Sequence, residues 1–207
     1  GQTYSYSVYD YASKILAEPE SSEYKSSAPL IKAMLNYGGY AQTYFNENTD
    51  ALANKGLYNK TNDPVLTTNT RVSKDYNYAA FHNNMGVSFL GGSLVLNSGT
   101  DLKLYYSMDD KNMANNINVS VNGQNVAPEY DGNIMCVRVP DISISSLGDT
   151  YNVKISVNGK EINQKYSAMT YMYKALNAQN SNTKLNNVVK ALYLYNEAAK
   201  QYSMGIE

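Results

Sequence analysis

Residues 102–108, LKLYYSM, put Leu102, Leu104, Tyr106 and Met108 on one side of an extended chain and Lys103, Tyr105 and Ser107 on the other. Alternation with a period of two marks a half-buried β-strand. It recurs downstream at Ile117, Val119 and Val121, at Met135, Val137 and Val139, and at Tyr151, Val153, Ile155 and Val157. Asn122-Gly123 and Asn158-Gly159 each stand between such runs, and an Asn-Gly pair supplies the two positive φ angles of a type I′ hairpin turn. Upstream, residues 65–72 and 87–96 are expected as further strands, with Gly91-Gly92 marking a bulge or corner. About seven to nine short strands with regular turns point to an antiparallel β-sandwich, immunoglobulin-like or jelly-roll, over residues 59–165.

On both sides of this region the period lengthens to that of a helix. VYDYASKILA (8–17) follows Ser7, a capping residue, with Asp10 three positions on in the manner of a capping box; Val8, Tyr11 and Ile15 share a face. Pro19 breaks that helix, and PLIKAMLNYGGYAQTYF (29–45) forms a second, capped by Ser27, with Leu30, Met34, Tyr37, Ala41 and Phe45 as its inner stripe. Gly38-Gly39 inside it should cost about 1 kcal/mol each relative to alanine, so a close helix crossing is expected to need the missing side chains. Near the other end Ser167 caps AMTYMYKALNA (168–178), and LNNVVKALYLYNEAAKQY (185–202) carries Leu185, Val188, Val189, Leu192, Tyr195, Ala199 and Tyr202 at helical spacing.

The two ends resemble each other. Tyr6, Ser7, Tyr11, Lys14 and Leu16 match Tyr166, Ser167, Tyr171, Lys174 and Leu176 at one constant offset. Lys32, Ala33, Tyr37, Ala41 and Tyr44 match Lys190, Ala191, Tyr195, Ala199 and Tyr202 at an offset two residues smaller. Two amphipathic hairpins of this kind can cover each other's apolar stripes. The expected fold is therefore α+β: hairpins at 1–58 and 166–207 packing as a four-helix bundle with pseudo-two-fold symmetry, and the sandwich inserted between them.

Composition narrows the functions. With 207 residues, 43% apolar content and a net charge of −1, the chain has a core but no basic patch to follow a phosphate backbone, so nucleic acid is not an expected partner. No apolar run reaches the roughly 18 residues of a membrane span, and the first residues have neither a basic nor an apolar leader pattern; Gly1 before a helix reads as a cut from a longer chain. The single cysteine, Cys136, permits no intrachain disulfide and no thiolate cage. Twenty-one tyrosines, no tryptophan and plentiful asparagine suit an exported bacterial module.

Residues capable of chemistry are few. His82 is the lone histidine and sits in a connecting segment, so it is read as a loop residue. Asp109-Asp110 with Asn115-Asn116, and Glu129, Asp131 and Asn133, offer oxygen ligands but match no calcium loop; they are read as turn formers, and neither a metal nor a cofactor is expected. No carboxylate pair has the spacing of a glycosidase, and no catalytic residue is assigned. Cys136 is read as a packed residue on the face shared by Ile134 and Arg138. Tyr76, Tyr78, Phe81, Tyr105 and Tyr130 lie outside the helical stripes and are the candidate contact residues.

The stretches AMLNYGGYAQTYFN (33–46), GVSFLGGSLVLNSGTDLKLYY (86–106) and VVKALYLYNEAAKQY (188–202) resemble a module that recurs in large secreted and cell-surface proteins of Gram-positive gut Clostridia, though Gly38-Gly39 stands where a single glycine is expected. The resemblance implies export, attachment to the wall or matrix through other parts of the parent chain, and adhesive or carbohydrate-related neighbours. It carries over no catalytic or binding residue. The expected function is that of a noncatalytic module in adhesion, binding of a glycan or a host or cell-surface protein, or spacing. The alternative is a carbohydrate-active enzyme using Asp109, Asp110, Glu129 or Asp131, or an accessory glycan-binding domain.

Overall fold

The structure, a computed structural model, describes residues 7–57, 63–67, 72–96, 99–179 and 182–205. It is α+β, with two antiparallel sheets, and it divides into a strand unit, residues 72–174, and a helical unit formed by residues up to 71 and from 175 on.

In the strand unit β1 (Val87–Leu96), β2 (Thr100–Met108), β6 (Ile134–Ile142) and β5 (Glu129–Asp131) form one sheet, in the order β1-β2-β6-β5. The second, β4-β3-β7-β8, joins β4 (Gln124–Val126), β3 (Ile117–Val121), β7 (Tyr151–Val157) and β8 (Lys160–Tyr166). Lettered in chain order with β4 as C′, these read A-B-E-D and C′-C-F-G, a Greek-key order. Leu102, Leu104, Tyr106 and Met108 are buried, as their alternation requires. Tyr106 bridges the sheets by donating to Gln164 Oε1 at 2.8 Å, and its ring lies 5.3 Å from that of Phe89, which is 5.5 Å from Tyr166. Both Asn-Gly pairs turn as their sequence requires, with φ of 49° and 82° at Asn122-Gly123 and 50° and 79° at Asn158-Gly159. The β1–β2 register shifts between Phe89 and Gly91, and a Cβ at Gly92 would come 2.9 Å from the Tyr166 ring, so the glycine lets that ring sit under β1.

α4 (Ala168–Leu176) follows β8 with only Ser167 between. Ser167 Oγ accepts from the Thr170 amide at 3.3 Å and Thr170 Oγ1 from the Ser167 amide at 3.1 Å, a reciprocal cap. The Met169 amide donates to Leu147 O at 3.1 Å, and Lys174 Nζ stands 5.8 Å and 5.5 Å above the Phe89 and Tyr166 rings.

The helical unit contains α1 (Val8–Ala17), α2 (Ala28–Phe45), the single turn α3 (Pro64–Thr67) and α5 (Thr183–Ser203). α2 packs on α1 and α5, and α3 on α5. α2 and α5 run antiparallel: Pro29, Lys32 and Ala33 share a groove with Glu197, Ala198 and Gln201, while Tyr44 and Leu185 pack on the cluster of Tyr40, Val65, Val188 and Ala191. Tyr37 and Tyr195, matching positions of the repeat, stack with centroids 5.8 Å apart.

The expected four-helix bundle with an inserted sandwich does not form. Through Lys174, α4 belongs to the strand unit, because β8 runs into its cap without a loop and its first turns hydrogen-bond and pack there. Residues 65–72 do not begin as a strand either: Pro64 opens α3 and Asp63 Oδ1 accepts the Val65 amide at 2.8 Å, a capped helical turn; residues 68–71 lie outside the described residues. On α1 only Ala12 and Ile15 are buried, and Val8 and Tyr11 are exposed. The inner stripe of α2 is Leu35, Asn36, Gly39 and Tyr40, with Phe45 exposed, because the helix is flanked on one side by α5 and on another by the turn at 53–57. That turn explains the glycines. A Cβ at Gly39 would lie 2.2 Å from Asn54 Oδ1 and one at Gly38 3.1 Å from Ala53 Cβ, so the close neighbour is a turn and not a crossing helix. Buried Asn54 in turn donates to Asn36 Oδ1 at 3.3 Å.

Candidate functional site

The alternation that buries Leu104 and Tyr106 turns Tyr105 to the opposite face of its sheet. Register places Gly91, Tyr105, Cys136 and Glu129 in one row across β1, β2, β6 and β5, with Ser93, Lys103 and Arg138 in the next. Tyr105 is half-buried at the middle of its row. A Cβ at Gly91 would meet nothing within 4 Å apart from its chain neighbours, one of which, Leu90, is the extra residue of the bulge and is 57% exposed. Lys103 Nζ lies 4.0 Å from Glu129 Oε2. At the edge of this face Asp101 Oδ1 accepts the Asp141 amide at 2.9 Å and Oδ2 accepts from Arg138 Nε at 2.9 Å; the amide first, and the guanidinium with it, hold the Asp101 carboxyl below the usual carboxylate range. Burial pushes the Cys136 thiol up, which disfavours a thiolate.

The other candidate contact residues are dispersed within the strand unit. Tyr130 is 40% exposed on edge strand β5, but it pairs with Met135 and so has the opposite parity to Tyr105. Tyr76 and Tyr78 precede β1, and the Tyr78 hydroxyl is 3.0 Å from Thr150 Oγ1. Phe81 stacks on Tyr106 with centroids 6.0 Å apart and tilts against Phe89, which makes it an extension of the core. His82 is exposed in the same segment.

Asp109 follows β2, its amide donating to Gly86 O at 2.9 Å, and Asp110 Oδ1 caps the short turn Lys111–Asn116 by accepting the Asn112 amide at 2.8 Å. The Met108 amide donates to Asn133 O at 2.7 Å, so these aspartates and the Asp131 turn share one end of the sheet. Among the described residues no three carboxylate, histidine or cysteine side chains form a cluster able to hold a metal ion. No described helix is long and apolar enough to cross a membrane.

In the helical unit a groove of about 290 Å³ lies between α2 and α5, floored by Ala33, Val65 and Ala191 and rimmed by Lys32 and Glu197. Tyr40 donates to Asp63 Oδ2 at 2.6 Å, and burial, then the neighbouring Tyr195, pushes the Tyr37 hydroxyl up to about 12. These polar groups serve packing. Sequence reading missed the placing of Gly91 and Leu90 beside Tyr105, which only register reveals, and the exposed first turn of α1, which helical periodicity assigned to the core.

Compared with known proteins, the chain matches no family model, no curated protein and no solved structure.

Proposed function

We propose that the chain is a noncatalytic module of a bacterial secreted or cell-surface protein, and that it binds a glycan or a surface protein through the outer face of the β1-β2-β6-β5 sheet. One observation carries this reading: Tyr105 stands in a row with a bare position at Gly91 on one side and the Lys103–Glu129 pair beside it. An amphipathic ring beside a glycine, an exposed leucine at Leu90 and paired polar ends suits the stacking and hydrogen bonding of a bound sugar or peptide. The buried polar side chains of Asp101, Gln164, Asp63 and Asn36 are spent on the fold.

The test is a screen against glycans and surface proteins, repeated with Tyr105→Ala and with Tyr76→Ala/Tyr78→Ala. A hit that Tyr105→Ala weakens at least about tenfold, with the other variant unchanged, supports the proposed face. A hit that ignores Tyr105→Ala removes it, and release of shortened sugar products would replace binding with catalysis.

A further inference from the structure

The two sheets end on β1 and β5 and on β4 and β8. A terminal strand carries a row of N–H and C=O groups with no neighbour, and proteins blunt such edges by shortness or charge. β5 and β4 have three residues each, and β8 exposes Lys160, Glu161 and Lys165. β1 has ten residues, none of them charged and none proline. Its first half is closed from within the chain: the Val87 amide donates to Asn84 O at 3.1 Å, the Asn84 amide to Val87 O at 2.9 Å, and the Phe89 amide to Phe81 O at 3.0 Å. Past the bulge, no described residue bonds the outer side of residues 92–96. Which groups point outward follows from β2. The Met108 amide donates to Asn133 O on the β6 side, so by alternation Leu104 and Leu102 also turn their backbone groups to β6, and Lys103 and Asp101 turn theirs to β1. Ser93 and Val95, opposite Lys103 and Asp101, complete that ladder. Gly92, Leu94 and Leu96, opposite Leu104, Leu102 and Thr100, therefore aim their N–H and C=O away from the sheet. Packing shows the same gap: Leu94 shares the core face with its partner Leu102, which is 0% exposed, yet is itself only half-buried.

We propose that residues 92–96 pair antiparallel with the same residues of a second copy of this chain, about a two-fold axis through Leu94. Among such pairings only this register matches every outward residue with another: Leu94 faces Leu94, and Gly92 faces Leu96. Each pair exchanges bonds in both directions, and the axis runs normal to the sheet, so both leucine rows stay on the core side. On the outer side Ser93 of one copy meets Val95 of the other, with no charge to repel the partner. A copy of β1 is the occupant because the edge asks for what β1 itself offers: an uncharged strand with leucines on one face, Ser93 and Val95 on the other, and free backbone groups at matching positions. The two four-stranded sheets then run on as one, and the faces carrying Tyr105 lie side by side. The contact does not depend on what those faces bind. So short a seam makes a weak dimer, formed at about 0.1–1 mM chain.

Sedimentation velocity of the full chain up to about 1 mM reads the dimer, and amide hydrogen exchange over the same range reads its register. As concentration rises, the amides of Gly92, Leu94 and Leu96 slow more than those of Ser93 and Val95, which are already bonded to β2. Val95→Lys, which sets two ammonium groups diagonally across the axis, weakens association at least about threefold while the circular dichroism spectrum stays that of the original protein. Mixed with Ser93→Glu, Val95→Lys associates at least about threefold more tightly than with itself, because position 93 of one copy faces position 95 of the other. A chain that stays monomeric at about 1 mM overturns the proposal. So does slowing at Ser93 and Val95 in place of their neighbours, association that Val95→Lys leaves unchanged, or a mixture no tighter than Val95→Lys alone.

Discussion

Gly39→Ala reverses the ordinary sign of a helix substitution. Replacing an interior helical glycine by alanine gains about 1 kcal/mol from backbone entropy. Here the new Cβ would lie 2.2 Å from Asn54 Oδ1 and 2.5 Å from its Cγ, so the side chain of Asn54 must leave its seat. That breaks its bond to Asn36 Oδ1, in a place where both residues are buried. Each of the two amides left without a partner costs about 1–3 kcal/mol, so after the gain in backbone entropy the net expectation is a loss of about 1–5 kcal/mol. Gly38→Ala, whose Cβ meets only Ala53 Cβ at 3.1 Å, should stay within about 1 kcal/mol of wild type, since a shift of a few tenths of an ångström suffices. Urea unfolding followed by far-ultraviolet circular dichroism measures both. In an Asn54→Ala background the loss from Gly39→Ala should shrink, because the group it displaces is gone. A Gly39→Ala protein as stable as wild type or more stable would refute the account of why this glycine is there.

Two further outcomes follow from the strand unit. The Asp101 carboxyl is held below its ordinary range in the folded state, so its stabilisation is fully present above about pH 4 and is lost as the pH falls through the folded value. Wild type should therefore exceed Asp101→Asn in stability at neutral pH, with the gap closing in acid; a gap independent of pH would contradict the pairing. Tyr106→Phe removes the donor to buried Gln164 Oε1, whose partner atom Nε2 already has no hydrogen bond among the described residues, and should cost about 1–3 kcal/mol in urea unfolding. A neutral effect would show that the bridge between the sheets does not hold them.

The strands were legible because both of their signals are local. A period of two around Leu104 fixes which residues face inward, and Asn122-Gly123 and Asn158-Gly159 fix where the chain reverses. The same alternation put Tyr105 outward, but what stands beside it depends on pairing with Gly91, and pairing joins residues far apart in sequence. The helices were legible as elements and misleading as an assembly. Periodicity shows that α4 has an apolar face and leaves open what covers it; the sign that strands do so was the single residue, Ser167, between β8 and the helix. Gly38-Gly39 correctly announced a close neighbour, yet a turn and a helix demand the same missing side chain. Phe81 lies before any alternating run, so nothing in its surroundings marked it as core.

The central structural claim is that the first and last parts of the chain, related in sequence, pair through equivalent positions of α2 and α5. A double-mutant cycle on Tyr37→Ala and Tyr195→Ala tests it directly, since these rings stack across the pair. A coupling of about 0.5–1.5 kcal/mol in unfolding free energy is expected. Strictly additive losses would mean that the two rings do not meet and that the paired helices are wrongly joined.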